Sequence, residues 1–130
     1  MTNSISEIRD ADCIFVTGSN TAESHPVISY EMVRAAKNGA NLIIVDPRKI
    51  PLVKHATLFL QIKPGTDIYV FLAIMRTIIH EGWADESFIA ERTEGYAEFS
   101  AVLEPYTPEY AALMSGVSAE KIVEAARIYA

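Results

Sequence analysis

The chain has 130 residues, of which 50% are hydrophobic and 22% charged, a composition typical of one soluble globular domain rather than of a disordered segment. Its formal charge of −6 argues against electrostatic binding of nucleic acid. The longest apolar run, Val70 to Met75, is far shorter than the roughly 18 residues of a membrane span, and the polar N-terminus does not resemble a signal peptide. One cysteine cannot form an internal disulfide, so we expect a cytoplasmic protein.

The first half of the sequence alternates between predicted strands and helices. Apolar residues at every third or fourth position, from Ile28 to Ala36, predict an amphipathic helix with Glu31 on its outer face. A second, longer helix is predicted from Thr66-Asp67 to about Glu81, followed by Gly82. Three short apolar runs bounded by turn residues predict buried strands at Cys13–Val16, Leu42–Val45 and Leu58–Ile62.

The second half predicts helices joined by short turns, at residues 85–92, 97–103, 108–114 and 118–130. Apolar strands that alternate with helices are typical of a parallel sheet covered on both faces. The expected fold class is therefore α/β: a Rossmann-like parallel sheet with helices on both faces, followed by a small C-terminal helical segment. We expect a single domain over 1–130, with an alternating part at 1–82 and a helical part at 83–130.

Polar residues follow each predicted strand, where a parallel sheet binds its ligands. They are Gly18-Ser19-Asn20, Asp46-Pro47-Arg48 and Gly65-Thr66-Asp67, and we expect all three segments at one edge of the sheet. The Gly18 segment lacks the G-x-G-x-x-G and P-loop patterns, so it predicts either a phosphate-binding loop or a tight turn in which Ser19 or Asn20 caps a helix. Asp46 either accepts hydrogen bonds from a ribose or forms a polar turn. Asp67 either pairs with guanine or caps the following helix.

The long predicted helix is apolar around nearly its whole circumference, which indicates burial on most sides. Either the C-terminal helices cover it, or the chain belongs to a larger assembly or associates with itself.

Three motifs resemble one enzyme family. The stretch from Ile14 to Pro26 resembles the G-S-N-x-x-E-x-H-P segment of the large molybdenum and tungsten oxidoreductases that hold a bis(molybdopterin guanine dinucleotide) cofactor, bis-MGD. Residues Ile44–Arg48 and Ile62–Asp67 are similar to two further motifs of that family, in the same order. Within it, Phe88–Tyr96, Ala125–Ala130 and the opening Met1–Ile5 look most like formate dehydrogenase alpha subunits.

The resemblance implies a molybdopterin guanine dinucleotide cofactor with Mo or W in the parent protein, and a 4Fe-4S cluster elsewhere in that parent. One loop would hold a dinucleotide arm, the second would meet its nucleoside part, and the third would close over the guanine, with Asp67 accepting hydrogen bonds from the base. The implied cofactor-binding residues are Gly18, Ser19, Asn20, Glu23, Ser24, Asp46, Pro47, Arg48, Gly65, Thr66 and Asp67.

The family's metal-ligating cysteine or selenocysteine, its catalytic histidine and its cysteine-rich segment have no counterparts here. The resemblance therefore implies an internal domain with no catalytic or metal-ligating residue, inactive by itself, from a parent that oxidises formate to carbon dioxide. Its expected partners are the cofactor, other domains of the parent subunit and electron-transfer subunits, with self-association of the fragment as a further expectation. The alternatives are the same domain of a nitrate reductase or another bis-MGD enzyme, a stand-alone module for NAD or an adenine nucleotide, and an assembly domain without nucleotide affinity.

Overall fold

The computed structural model describes residues 4–130, so Met1–Asn3, which carry part of the resemblance, lie outside the described residues. The chain forms two compact units, Met1–Ile62 and Lys63–Ala130. The boundary between the units, after Ile62, lies earlier in the chain than the boundary after residue 82 that the sequence pattern indicated. The reason is that the long helix after Ile62 packs against the helices that follow it.

The N-terminal unit contains a parallel sheet of three strands in the order β1-β2-β3. Thr17 lies opposite Val45, and Val45 lies opposite Leu60, so the strands end level with one another. The third strand is two residues shorter than predicted. The strands are β1 (Cys13–Thr17), β2 (Asn41–Val45) and β3 (Leu58–Leu60). The predicted α/β class with a parallel sheet is confirmed.

Strand β2 is buried on both faces, as its continuous apolar sequence predicts. Leu42 and Ile44 point to one face, Ile43 and Val45 point to the other, and all four side chains are fully buried. The first face belongs to a core that also contains Ile14, Val16, Ala35, Ile50 and Leu52.

Over residues 4–62 the N-terminal unit also contains two α-helices and two 3-10 helices: α1 (Thr21–Ser24), α2 (Pro26–Lys37), and the 3-10 helices Ile5–Asp10 and Pro51–His55. The prediction of Glu31 on the outer face of α2 is wrong, because the side chain is buried. The 3-10 helix Ile5–Asp10 packs on α2 and brings Arg9 Nε to 3.3 Å from Glu31 Oε2. Arg34 Nη1 lies 3.9 Å from the other carboxylate oxygen, so Glu31 is a buried acid between two cations.

The C-terminal unit is helical, as predicted. Its longest helix, α3, buries Val70, Ala73, Ile74 and Thr77 and packs against three later helices of the same unit. The C-terminal helices therefore cover part of the apolar circumference, while Ile68 stays half exposed. The helices are α3 (Asp67–His80), α4 (Glu86–Arg92), α5 (Tyr96–Leu103), α6 (Pro108–Ser115) and α7 (Ala119–Tyr129).

Short polar side chains fix two of these helix starts. Asp85 Oδ1 accepts a hydrogen bond from the Phe88 amide at 2.9 Å, and Thr107 Oγ1 accepts one from the Tyr110 amide at 3.1 Å. Ser118 lies at the N-cap of α7 but makes no side-chain cap bond. Across residues 4–130, none of the helices combines the length and apolar character that crossing a membrane requires.

Candidate functional site

The loop after β1 begins with a glycine in a left-handed backbone conformation. Gly18 has φ of +56° and donates its amide to Val45 O at 3.1 Å. This bond joins the end of β1 to the end of β2. Within residues 4–130, nothing hydrogen-bonds to the buried side-chain oxygen of Asn20. A buried carbonyl oxygen without a donor is costly, so this atom is suited to accept a hydrogen bond from a bound group.

The loop leads into a single helical turn, α1, which the sequence pattern did not predict. Asn20 occupies the N-cap of α1, but its side chain makes no cap hydrogen bond. The predicted cap from Ser19 or Asn20 is therefore not supported. Helix α1 ends after four residues, and Pro26 starts α2. Ser24 Oγ donates to Asn20 O at 3.0 Å, and Glu23 is exposed. A single turn supplies little helix dipole, so backbone amides and side chains must provide most of any anion binding here.

The second loop places a buried acid beside an exposed base. Asp46 is 2% exposed and its amide donates to Leu60 O at 3.3 Å. Its Oδ1 accepts the Arg48 amide at 2.7 Å, which closes a polar turn around Pro47. The turn interpretation of Asp46 is therefore correct for one carboxylate oxygen. The Arg48 side chain is 72% exposed, with Nε 3.8 Å from Asp46 Oδ1, so most of its guanidinium faces solvent.

The sequence analysis missed a residue that supports this loop. Gln61, directly after β3, donates its side-chain Nε2 to Pro47 O at 3.0 Å. The sequence pattern placed Gln61 inside the third strand, which in fact ends at Leu60, so no signal in the sequence marked this residue.

The third motif lies in the C-terminal unit. Lys63 O accepts bonds from the Thr66 amide at 3.3 Å and from Thr66 Oγ1 at 2.7 Å. Pro64 at the second position and Gly65 with φ of +76° at the third suit this tight turn. The Thr66 hydroxyl is used inside the turn and does not cap α3. Asp67 is the first residue of α3 and is exposed, so its carboxylate is accessible to a ligand.

The junction of α6 and α7 holds this turn, a contact that the sequence analysis also missed. Ser115 O accepts the Lys63 amide at 3.0 Å. Ser115 is fully buried, donates Oγ to Ala111 O at 2.6 Å and accepts the Val117 amide at 3.2 Å. The sequence signal for this contact was a small polar residue, Ser115, directly before Gly116, at which α6 ends.

The structure thus brings two predicted segments together at the carboxyl edge of the sheet: Gly18–Asn20 and Asp46–Arg48, joined through Gly18 N and Val45 O. Gly65, Thr66 and Asp67 belong to the C-terminal unit. The sheet edge offers an exposed guanidinium, an unpaired buried acceptor and a glycine backbone that a ligand can approach. These groups suit a polar ligand with anionic groups and hydrogen-bond donors. In the range 4–130, His, Cys, Asp and Glu side chains form no group of three or more that could hold a metal ion.

The sequence and the fold both have close counterparts among known proteins. The chain is 55% identical over 129 residues to F420-dependent formate dehydrogenase 1 subunit alpha of Methanococcus maripaludis, covering 99% of this chain and 19% of that protein. It is 42% identical over 130 residues to formate dehydrogenase H of Escherichia coli, covering 100% and 18%. Acetylene hydratase from Pelobacter acetylenicus matches with a TM-score of 0.83 at 26% identity, covering 94% of this chain and 18% of that one.

The chain therefore spans about a fifth of the length of these relatives. A family model described as molybdopterin oxidoreductase matches residues 1–128. On this match along nearly its whole length, the chain belongs to the molybdopterin oxidoreductase family.

Proposed function

We propose that this chain is a cofactor-binding domain of a formate dehydrogenase alpha subunit, and that it holds one guanine dinucleotide arm of a bis-MGD cofactor. The observation that carries the proposal is the sheet edge of the N-terminal unit. Three groups come together in the loops that follow two neighbouring strands. They are the positive-φ backbone of Gly18, the unpaired buried oxygen of Asn20 and the exposed guanidinium of Arg48. Ligands of open parallel sheets bind at such an edge, here of a Rossmann-like sheet.

Membership of the family implies a molybdopterin-type cofactor that carries Mo or W. The residues present fit such a group. Its phosphates would suit the guanidinium of Arg48, and its hydroxyl and amine hydrogens would suit the oxygen of Asn20. When bound, the cofactor supplies the metal centre at which the parent enzyme would oxidise formate to carbon dioxide.

This chain's own residues would bind the cofactor and orient it. In the N-terminal unit, Gly18, Ser19, Asn20, Glu23 and Ser24 would line one dinucleotide arm, and Asp46, Pro47 and Arg48 would meet its nucleoside part. In the C-terminal unit, Gly65 and Thr66 would shape the turn before Asp67. A carboxylate accepts two parallel hydrogen bonds, so Asp67 would pair with the N1–H and the exocyclic amine of guanine. Fixing the dinucleotide fixes the metal relative to its substrate.

Formate is favoured over nitrate as the parent's substrate by sequence identity. A nitrate reductase of Symbiobacterium thermophilum is 36% identical over 133 residues, against 55% for the formate dehydrogenase of Methanococcus maripaludis. The proposed partners are the other domains of the parent subunit and its electron-transfer subunits, with the 4Fe-4S cluster outside this chain and the parent in the cytoplasm. The isolated chain is expected to oxidise no formate, because it would contribute only to cofactor binding.

The proposal is tested by calorimetric titration of the chain with GDP, and with ADP and NAD as comparison ligands. We expect weak binding with a preference for GDP. Asp67→Ala should abolish that preference, because the bonds to the guanine edge would be lost.

Glu81→Ala is the matched control, since it removes an exposed acid from the other end of α3 and should leave GDP binding unchanged. A preference for ADP or NAD would instead support a stand-alone nucleotide module. A guanine preference that survives in Asp67→Ala would contradict the role of Asp67, and no affinity for any nucleotide would contradict a self-sufficient site on this chain.

A further inference from the structure

The loop formed by Asp46, Pro47 and Arg48 is held by hydrogen bonds from several directions. The Asp46 amide donates to Leu60 O at 3.3 Å, and the Arg48 amide donates to Asp46 Oδ1 at 2.7 Å. Beyond the loop, the Ile50 amide donates to Arg48 O at 2.9 Å. These bonds fix the two ends of the loop.

The middle of the loop is held by a side chain from another strand end. Pro47 has no amide hydrogen, so its carbonyl is the one backbone group of this residue that can form a hydrogen bond. Gln61 Nε2 donates to this carbonyl at 3.0 Å across 14 residues of sequence. Gln61 is exposed, so its bond adds little to the core, and the carbonyl that it holds belongs to the peptide between Pro47 and Arg48.

We propose that Gln61 is a positioning residue: its side-chain amide holds the Pro47 carbonyl and thereby sets the direction in which Arg48 presents its guanidinium to an anionic ligand. This inference rests on the proposed function in one respect, that the anion is a phosphate of a guanine nucleotide. Gln61 itself touches the loop and need not touch the ligand.

The test uses Gln61→Met, which keeps the length of the side chain and removes its donor. Amide hydrogen exchange of the 130-residue chain, followed residue by residue by NMR, reports how often the loop opens. Exchange of the Arg48 amide should accelerate by on the order of threefold, the factor expected from losing one exposed hydrogen bond. Exchange of the β2 amides and the Tm should stay unchanged. Lys37→Met, a similar change at an exposed residue at the end of α2, should leave the Arg48 amide as in the wild type.

A second arm measures the affinity for GDP. If Gln61 positions Arg48, Gln61→Met weakens GDP binding by a similar factor at unchanged Tm. Unchanged exchange at Arg48 would overturn the proposal whatever happens to GDP. Faster exchange with unchanged GDP affinity would overturn the positioning role and leave the proposed function intact. A wild-type chain that binds no GDP would contradict a self-sufficient site on this chain and the ligand part of this inference, while the exchange data would still decide whether Gln61 holds the loop.

Discussion

Gly18 is required by the conformation of the backbone and not by lack of space. Its φ is +56°, and a Cβ added there would meet no other atom within 4 Å. Gly18→Ala should therefore destabilise the chain by about 1 kcal/mol, the usual cost of a left-handed conformation for a residue with a side chain. Urea unfolding measures this loss.

Gly82→Ala is the matched control, because Gly82 has φ of +69°, equally open space and a position outside the three motifs. We expect a similar loss of stability in both variants, with weaker GDP binding in Gly18→Ala alone. Equal GDP affinity in the two variants would show that the backbone of Gly18 takes no part in binding.

At the scale of elements, a buried serine couples the end of α6 to the turn before α3. Ser115→Ala keeps the backbone bond to Lys63 but leaves the Val117 amide, in a residue that is 4% exposed, without its acceptor. An unpaired buried amide costs about 1–3 kcal/mol, and that is the expected loss in the free energy of unfolding. Chemical denaturation measures it.

Ser118→Ala serves for comparison. Ser118 is exposed and makes no cap bond, and its side chain hydrogen-bonds to the exposed carboxylate of Glu120, so this change should cost less than about 0.5 kcal/mol. Equal losses for the two serines would contradict the structural role of Ser115.

At the scale of the whole molecule, acid should weaken the C-terminal unit. Four of its carboxylates have a lowered pKa: Asp85, Glu104, Glu120 and Glu124. A hydrogen bond from His80 lowers the pKa of Glu104, and one from Arg127 lowers that of Glu124. A carboxyl group whose pKa is lower in the folded than in the unfolded chain stabilises the fold above its unfolded pKa. That contribution is lost as the pH falls through its folded pKa.

The prediction is tested with Glu104→Gln. It should be less stable than the wild type at about pH 7, and the difference should be smaller at about pH 3, because the lost contribution depends on an ionised carboxylate and fades as that group takes up a proton. Urea unfolding at the two pH values measures it. The control is Glu94→Gln, since in the part of the chain that the structure describes Glu94 has no ion pair. A stability difference for Glu104→Gln that is independent of pH would contradict the expectation.

Local sequence determined the strands and the longer helices to within one or two residues. Apolar runs bounded by turn residues predicted the strands, since a buried parallel strand needs apolar side chains on both faces. Glycines and short polar residues marked the ends of the helices. The 3-10 helices and the four-residue α1 were missed because they are too short to show a hydrophobic period. Glu31 was misjudged because the 3-10 helix Ile5–Asp10 covers it.

The sequence by itself determined which residues follow the strands, and its motifs identified the family that the match over residues 1–128 establishes. Only the tertiary structure decided how those residues are held. Gln61 reaches Pro47 across the sheet edge, and Ser115 anchors Lys63 from a later helix of the same unit. Hydrogen bonds of this kind depend on where distant segments meet, and neither propensity nor periodicity carries that information.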